Sequence, residues 1–372
     1  MQLVKTSYDQ NDVIVLLKDL TSVMQPMSVD DRERLIQSGA HYSSMLPKEE
    51  LPTAEYLELY KTAVTRHSQQ IAQMIAALAG SITKSTSKNH HPVIVSLARA
   101  GIPIGILLKR FISRYLNCTC SHYAISIVRG KGIDNNAMEY IYSKEIDTGN
   151  ATPADIFFVD GWTGKGAIHD QLVDAVNLLI AKDVKWYGLH SDLYVLADPA
   201  NITSHCGTHS DLLLPTACLN SIVSGLISRS ILNEYVDVNA GDFHGAVYFS
   251  EFESKDMSNA FINDVSSQFA VLSDIVEAKS HLGEAGISVV RRICDSYDIS
   301  DYFKVKPGIG ETTRVLLRRI PWAVLLSDKA EESDPDLQHI FALCKSKGVK
   351  ILPYDLGSYK VCGIIKELNS DV

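Results

Sequence analysis

Three short segments place cations among glycines directly after an apolar run. Ala98-Arg99-Ala100-Gly101 follows Pro92–Leu97, Arg129-Gly130-Lys131-Gly132 follows His122–Val128, and Asp160-Gly161-Trp162-Thr163-Gly164-Lys165-Gly166 follows residues 155–159. Small residues let backbone N–H groups approach an anion closely, and a helix starting at Ala167 aims its positive end at the same place. Glycine is also what any sharp strand-to-helix turn needs, so one such loop says little. Three on consecutive strands point to a phosphate-bearing ligand. The third loop is not a nucleotidase P-loop, because no glycine stands at the required offset before Gly164-Lys165 and Gly166 replaces the Ser or Thr. Asp160 at a strand end suits ribose hydroxyls, and Thr163 with the amides of residues 164–166 suits a 5′-phosphate.

Thiol chemistry is a second possibility. A cysteine nucleophile needs a histidine beside it and a third group to orient that histidine. Cys218, in Pro215-Thr-Ala-Cys-Leu-Asn220, is the best candidate, with His244 of Asp242-Phe-His-Gly245 as its partner. Neither the local pattern nor the chain order matches a known cysteine-protease signature, and a cysteine between Ala and Leu is more often a small buried hydrophobe. Asn220, Ser221 and Ser224 are polar neighbours in the same segment. The seven cysteines (118, 120, 206, 218, 294, 344, 362) are odd in number and scattered, which fits reduced thiols rather than a disulfide framework. Cys118-Thr-Cys120 lacks zinc spacing, and no structural metal site is expected.

A third cluster lies near the C-terminus. Between Phe303 and Ile320 stand Lys304, Lys306, Arg314, Arg318 and Arg319 against one acid, Glu311, in a chain whose formal charge is −9. Lys306-Pro-Gly-Ile-Gly-Glu-Thr-Thr-Arg314 opens a helix with a glycine-rich loop, so helix-start amides and cations can meet a phosphate backbone. The plainer reading is a solvated helix start with Glu311 well placed for the helix dipole.

Periodicity supplies the elements that must position these residues. At 372 residues with 46% hydrophobic and 21% charged, the chain is a folded protein of two or three domains. The net negative charge gives no global attraction to nucleic acid or membrane, so any polyanion site must be local. No apolar run is long enough to cross a bilayer, and the first residues lack the apolar core of a secretion signal, which predicts a cytoplasmic protein. Residues up to about 85 read as helices, including Asp12–Leu20 and Leu57–Leu78. Strands are predicted at 92–97, 122–128, 155–160 and 184–189, alternating with helices at 104–115 and 167–181, which argues a mostly parallel sheet. A smaller α/β alternation begins after about 270, with helices at 269–280, 287–297, 312–319 and 335–347 and strands at 322–326 and 349–352. The boundary between the two falls near 275 to 285.

Several of these runs resemble known families. Phe157-Phe-Val-Asp-Gly-Trp-Thr-Gly-Lys-Gly-Ala167 resembles the phosphoribosyl pyrophosphate (PRPP) signature of type I phosphoribosyltransferases, with Val159 replacing the first of two acids and Asp160 as the retained one. Ser96–Gly105, Phe158–Ala167, Leu214–Gly225 and Asp242–Ala246 together resemble a bacterial family found with tellurite-resistance and stress operons, labelled both phosphoribosyltransferase and cysteine protease (StiP). That resemblance covers most of residues 7 to 270. It implies an α/β domain at 1–280 with a type I phosphoribosyltransferase-like parallel sheet, helices on both faces, and a Mg²⁺-dependent reaction in which pyrophosphate leaves C1 of PRPP. Asp160 would hold ribose hydroxyls, Gly161 and Thr163 with Gly164, Lys165 and Gly166 the 5′-phosphate, and Ala98, Arg99, Ala100 and Gly101 the pyrophosphate. Arg129 and Lys131 would supply charge to the leaving group, and Asn220 would contact the acceptor. Proteolysis through Cys218 and a non-catalytic nucleotide sensor are the alternatives.

Gly308-Ile-Gly-Glu-Thr-Thr-Arg314, the strand 322–326, the helix to Cys344, Gly348–Leu352 and Leu356-Gly357 resemble the Pelota-type RNA-binding domain. This implies a smaller C-terminal α/β/α domain at 285–372, with Lys306, Gly308, Glu311 and Arg314 contacting structured RNA. Gly310 stands where those relatives usually carry Asn.

Overall fold

The computed structural model describes residues 1–272, 283–318 and 320–365, and the side chains of 29, 30, 33 and 318 are outside that description. A six-stranded parallel sheet organises the N-terminal lobe. Its strands are β1 (Ile14–Val15), β2 (Val93–Leu97), β3 (Ser121–Ile125), β4 (Ile156–Trp162), β5 (Leu193–Ala197) and β6 (Cys206–Thr208), in spatial order β1-β3-β2-β4-β5-β6. Residues 93–97 and 156–159 are fully buried and, apart from Ser96, apolar, as expected for strands covered on both faces.

Alternate residues of these strands feed two cores. Ile94, Phe157, Val159 and Tyr194 pack with the long helix α1 (Ala54–Ser85) and with α2 (Ile102–Tyr115). Val95, Phe158 and Val195 pack on the other face with Leu172, Val176 and Leu179 of α3 (Ala167–Lys182). Helices therefore cover both faces, as the sequence implied. Two local expectations fail. Asp12–Leu20 is not a helix; it supplies β1 and a second short strand, Lys18–Asp19, with Val13, Val15, Leu16, Leu17 and Leu20 buried and Ile14 exposed. Residues 184–189 hold a single helical turn rather than a strand, with Val184 and Tyr187 exposed, and the next strand starts at Leu193.

The C-terminal lobe has its own four-stranded sheet: β7 (Val305–Pro307), β8 (Ala323–Ser327), β9 (Lys350–Tyr354) and β10 (Val361–Ile364), in order β7-β10-β8-β9. Around it lie α4 (Gly286–Tyr297), α5 (Ile309–Arg318) and α6 (Gln338–Lys347). The helix expected at 269–280 and the boundary near 280 fall mostly outside the described residues. Among the described residues no helix is long and apolar enough to cross a membrane.

Candidate active site at the strand ends

Beyond the carboxyl ends of β2, β4, β5 and β6 the loops converge, and the C-terminal lobe is seated on them. Asp160 is half-buried and its Oδ1 accepts the N–H of Gly161 at 2.7 Å. Burial raises this carboxyl to about 7, against that hydrogen bond and the charge of Arg314. Lys165 reaches away from any ligand space: its Nζ donates to the carbonyls of Tyr302 (2.8 Å) and Val305 (2.9 Å) of the C-terminal lobe. Burial and nearby Lys306 lower its ammonium to about 8. The Gly164 carbonyl accepts from the Tyr359 hydroxyl at 2.6 Å, and Thr163 Oγ1 donates to the Asp198 carboxylate. Gly166 takes φ +93°, and a Cβ there would lie 2.6 Å from Ile202 Cδ1.

Most of the other residues expected to hold a phosphoribosyl group are engaged within the protein as well. Arg99 pairs with Glu49 at 2.8 Å and donates to the Ile227 carbonyl at 2.7 Å. Gly101 is required by close packing, since a Cβ would stand 2.3 Å from the Val159 carbonyl; its neighbours Ala98 and Ala100 are half-buried. The Arg129 guanidinium lies 3.9 Å from the ring centre of Phe303, Lys131 is exposed, and the Asn220 carbonyl accepts from Ser224 at 2.8 Å. The turns are present as read, but Arg99, Arg129 and Lys165 bind the protein itself.

The residues expected to meet RNA face the same junction. Gly308, at φ +87°, lies over Asp211, whose carboxylate accepts the N–H of Ile309 at 2.9 Å and that of Lys360 at 2.9 Å. Arg314 donates from Nε to the Ala217 carbonyl at 3.1 Å, and its guanidinium lies 4.9 Å from the ring centre of Trp162. Glu311 pairs loosely with Arg314 at 3.6 Å, and Lys306 is half-buried. A Cβ on Gly310 would come within 3.1 Å of the Ala217 methyl, so the glycine lets α5 approach the turn Pro215–Cys218. Arg319 lies outside the described residues.

Cys218 ends that turn, buried, and burial pushes its thiol up to about 12 despite the charge of Arg314. His244 is occupied elsewhere: its Nδ1 is 2.8 Å from Ser126 Oγ, and its backbone N–H donates to Asp134 at 2.5 Å. Among the described residues no histidine forms a hydrogen bond or ion pair with Cys218. A different cysteine has one. Cys206 Sγ stands 3.4 Å from His209 Nε2, and His209 Nδ1 is 3.1 Å from the Asp198 carbonyl and 3.4 Å from its carboxylate.

This trio is built by the sheet. Asp160, Val195 and Cys206 are paired across β4, β5 and β6, and the Asp198 N–H donates to the Thr208 carbonyl at 2.8 Å, which fixes the turn after β5 against the end of β6. Asp198 is fully buried and further held by the N–H groups of Ile202 (2.8 Å) and Thr203 (3.0 Å). A carbonyl can only accept, so Nδ1 carries the imidazole proton and Nε2 presents its lone pair to the thiol. Burial, with the Asp198 charge adding to it, raises the thiol to about 12, so the thiol is neutral at rest. Residues 207–211 line a cleft of about 730 Å³ between the lobes, shared with Glu284, Lys329 and Lys360. Asp198, Cys206 and His209 also offer one O, one S and one N donor within 4.8 Å of one another, a set able to hold a soft divalent ion such as zinc.

The sequence did carry a signal for this trio: an Asp directly after an apolar run and a histidine three residues after a cysteine. It is hidden when residues 184–189 are taken as the strand after 155–160, because Asp198 and Cys206 then no longer sit at strand ends.

A parallel α/β sheet with a thiol, imidazole and carboxylate at its carboxyl edge defines a candidate thiol-dependent enzyme. Residues 6–266 match the family model described as "Tellurite-like stress resistance cysteine protease StiP", and residues 284–367 match the PELOTA RNA binding domain. The chain is 35% identical over 376 residues to a protein of Acinetobacter baylyi named "Cysteine protease StiP", covering 97% of this chain and 94% of that one. The chain belongs to the StiP family. No solved structure matches it.

These findings correct the phosphoribosyltransferase expectation: the family and the relative are described as cysteine proteases. The physical reason is visible in the loops. Arg99 and Arg129, two of the cations meant for pyrophosphate, are held by Glu49, Ile227 and Phe303, and the C-terminal lobe contacts the loop expected to hold the phosphate at Gly164 and Lys165. With that reaction goes the reason for expecting PRPP and Mg²⁺.

Proposed function

We propose that the chain is a cysteine protease whose nucleophile is Cys206, with His209 as base and Asp198 as the group that orients it. The observation carrying this reading is the contact of Cys206 Sγ with His209 Nε2 at 3.4 Å, with Nδ1 anchored on Asp198. As sulfur attacks a peptide carbonyl, the thiol proton passes to Nε2; the imidazolium then protonates the leaving amine, and water, deprotonated by Nε2, hydrolyses the thioester. Because the thiol is neutral at rest, proton transfer accompanies attack instead of preceding it. Cys206 is nearly fully buried, so a substrate must reach it through the cleft beside Gly207 and His209. We further propose a two-domain organisation, 1–280 and 285–372, in which the second domain binds structured RNA; its match to an RNA-binding family supports this. Iodoacetamide labelling with peptide mapping, alongside casein cleavage, tests the nucleophile. Loss of cleavage in Cys206→Ala with retention in Cys218→Ala is the expected result; the reverse pattern returns the role to Cys218.

A further inference from the structure

The four residues expected to contact RNA in the C-terminal lobe all lie on its junction with the N-terminal lobe. Arg314 is spent on the Ala217 carbonyl and the Trp162 ring, and Lys306 lies close enough to Lys165 to depress that ammonium. At the start of α5, where amides would meet a phosphate, a carboxylate is already seated. Asp211, 3% exposed, accepts the N–H groups of Ile309 and Lys360, which come from opposite ends of the chain segment 309–360 and converge on it. A phosphate offers the same charge with more acceptor oxygens and would compete for those two donors.

The rest of the junction is apolar in part, with Leu212–Leu214 and Cys218 joined in one core to Ile309, Leu316, Leu337 and Ile340, and it also carries polar contacts. Asp336 accepts from Arg66 (2.9 Å) and His67 (2.8 Å) of α1, Asn201 donates to Ser358 Oγ (2.7 Å), and Lys165 and Tyr359 complete it. These polar contacts fix the register of the two lobes, and a buried ion pair such as that of Asp336 adds little net free energy to holding them together. The cleft beside Cys206 and His209 is walled by both lobes.

We infer that the docked arrangement is self-inhibited: Asp211 and Trp162 mask the RNA-facing edge of the C-terminal lobe, so RNA binding and lobe docking exclude one another, and RNA opens the cleft. The RNA-binding half of this inference rests on the RNA-binding reading of residues 285–372 and not on the protease reading. Asp211→Ala leaves the Ile309 and Lys360 N–H groups without acceptors in the docked state, and Asp336→Ala removes the anchor of α1 without touching the α5 edge. The full-length chain and both variants are titrated into a fluorescently labelled RNA hairpin, with X-ray scattering of free and RNA-bound protein. Both variants bind the hairpin at least tenfold more tightly than wild type, and RNA increases the radius of gyration of the wild type. Equal affinity in all three chains, no binding by any of them, or RNA binding at unchanged radius of gyration overturns the inference. Loss of casein cleavage alone leaves it standing, because neither readout depends on proteolysis.

Discussion

The loop after β4 and the segment after β5 lie side by side at one sheet edge, yet they contrast in how they read and in what they do. Residues 160–166 carry glycines, a threonine, an acid and a lysine, which are the marks of a ligand loop, yet Lys165, the Gly164 carbonyl and the Trp162 ring seat the C-terminal lobe and Thr163 holds Asp198. Residues 198–209 carry no such concentration, yet they bring a carboxylate, a thiol and an imidazole into hydrogen-bonding sequence. Residue type says what a loop could bind; packing decides whether its groups remain free to bind it.

The sharpest way to break this contrast is kinetic. Cys206→Ser and His209→Ala are expected to lower kcat for peptide cleavage by roughly 10³-fold or more, as for removal of a nucleophile or its base. Asp160→Asn should leave kcat within about twofold. Steady-state kinetics on one peptide substrate compares them, and a loss in Asp160→Asn matching that in Cys206→Ser would restore the first loop as the reactive one. Asp198→Asn is expected to cost less than the loss of His209 in kcat, with KM little changed, because the Asp198 carbonyl still receives Nδ1.

Stability separates the same regions by pH. Burial works to raise Asp336, but His67 and Arg66 outweigh it and hold the carboxyl at about 2. Its contribution is therefore complete above the ordinary carboxylate value and is lost as pH falls toward 2. Asp336→Asn should lower stability by about 2 kcal/mol at pH 7 and by progressively less in acid, as seen by urea unfolding. Asp160, raised to about 7 by burial with Arg314 facing it, has the opposite sign: its cost begins as pH rises above about 4 and is complete above 7. Asp160→Asn should thus stabilise the protein, by on the order of 1 to 2 kcal/mol at pH 8, with the gain shrinking toward pH 4. Destabilisation at pH 8 would mean that the charge of Asp160 is needed where it is. The smallest expected change is Cys218→Ala, about 1 kcal/mol of stability with cleavage intact, the signature of a buried thiol that only packs.

The β-branched run Val93–Val95, the apolar spacing of α1 and the glycine turns were legible because local periodicity and backbone sterics fix them. So were the α/β alternation, the smaller second lobe and the family resemblance. Residues 184–189 misread because an apolar pattern cannot by itself separate a buried strand from a helical turn whose Val184 and Tyr187 stay exposed. That slip moved Asp198 and Cys206 out of view. The seating of His209 on Asp198 depends on the register of β5 against β6, and the occupation of Lys165, Arg314 and the α5 start depends on how two sheets far apart in sequence dock. Sequence by itself determined which elements form and which groups could react, since those follow from short-range sterics and burial pattern. Only the tertiary structure decided which carboxylate anchors His209 and which cations stay available, because those hydrogen bonds join residues that no local pattern links.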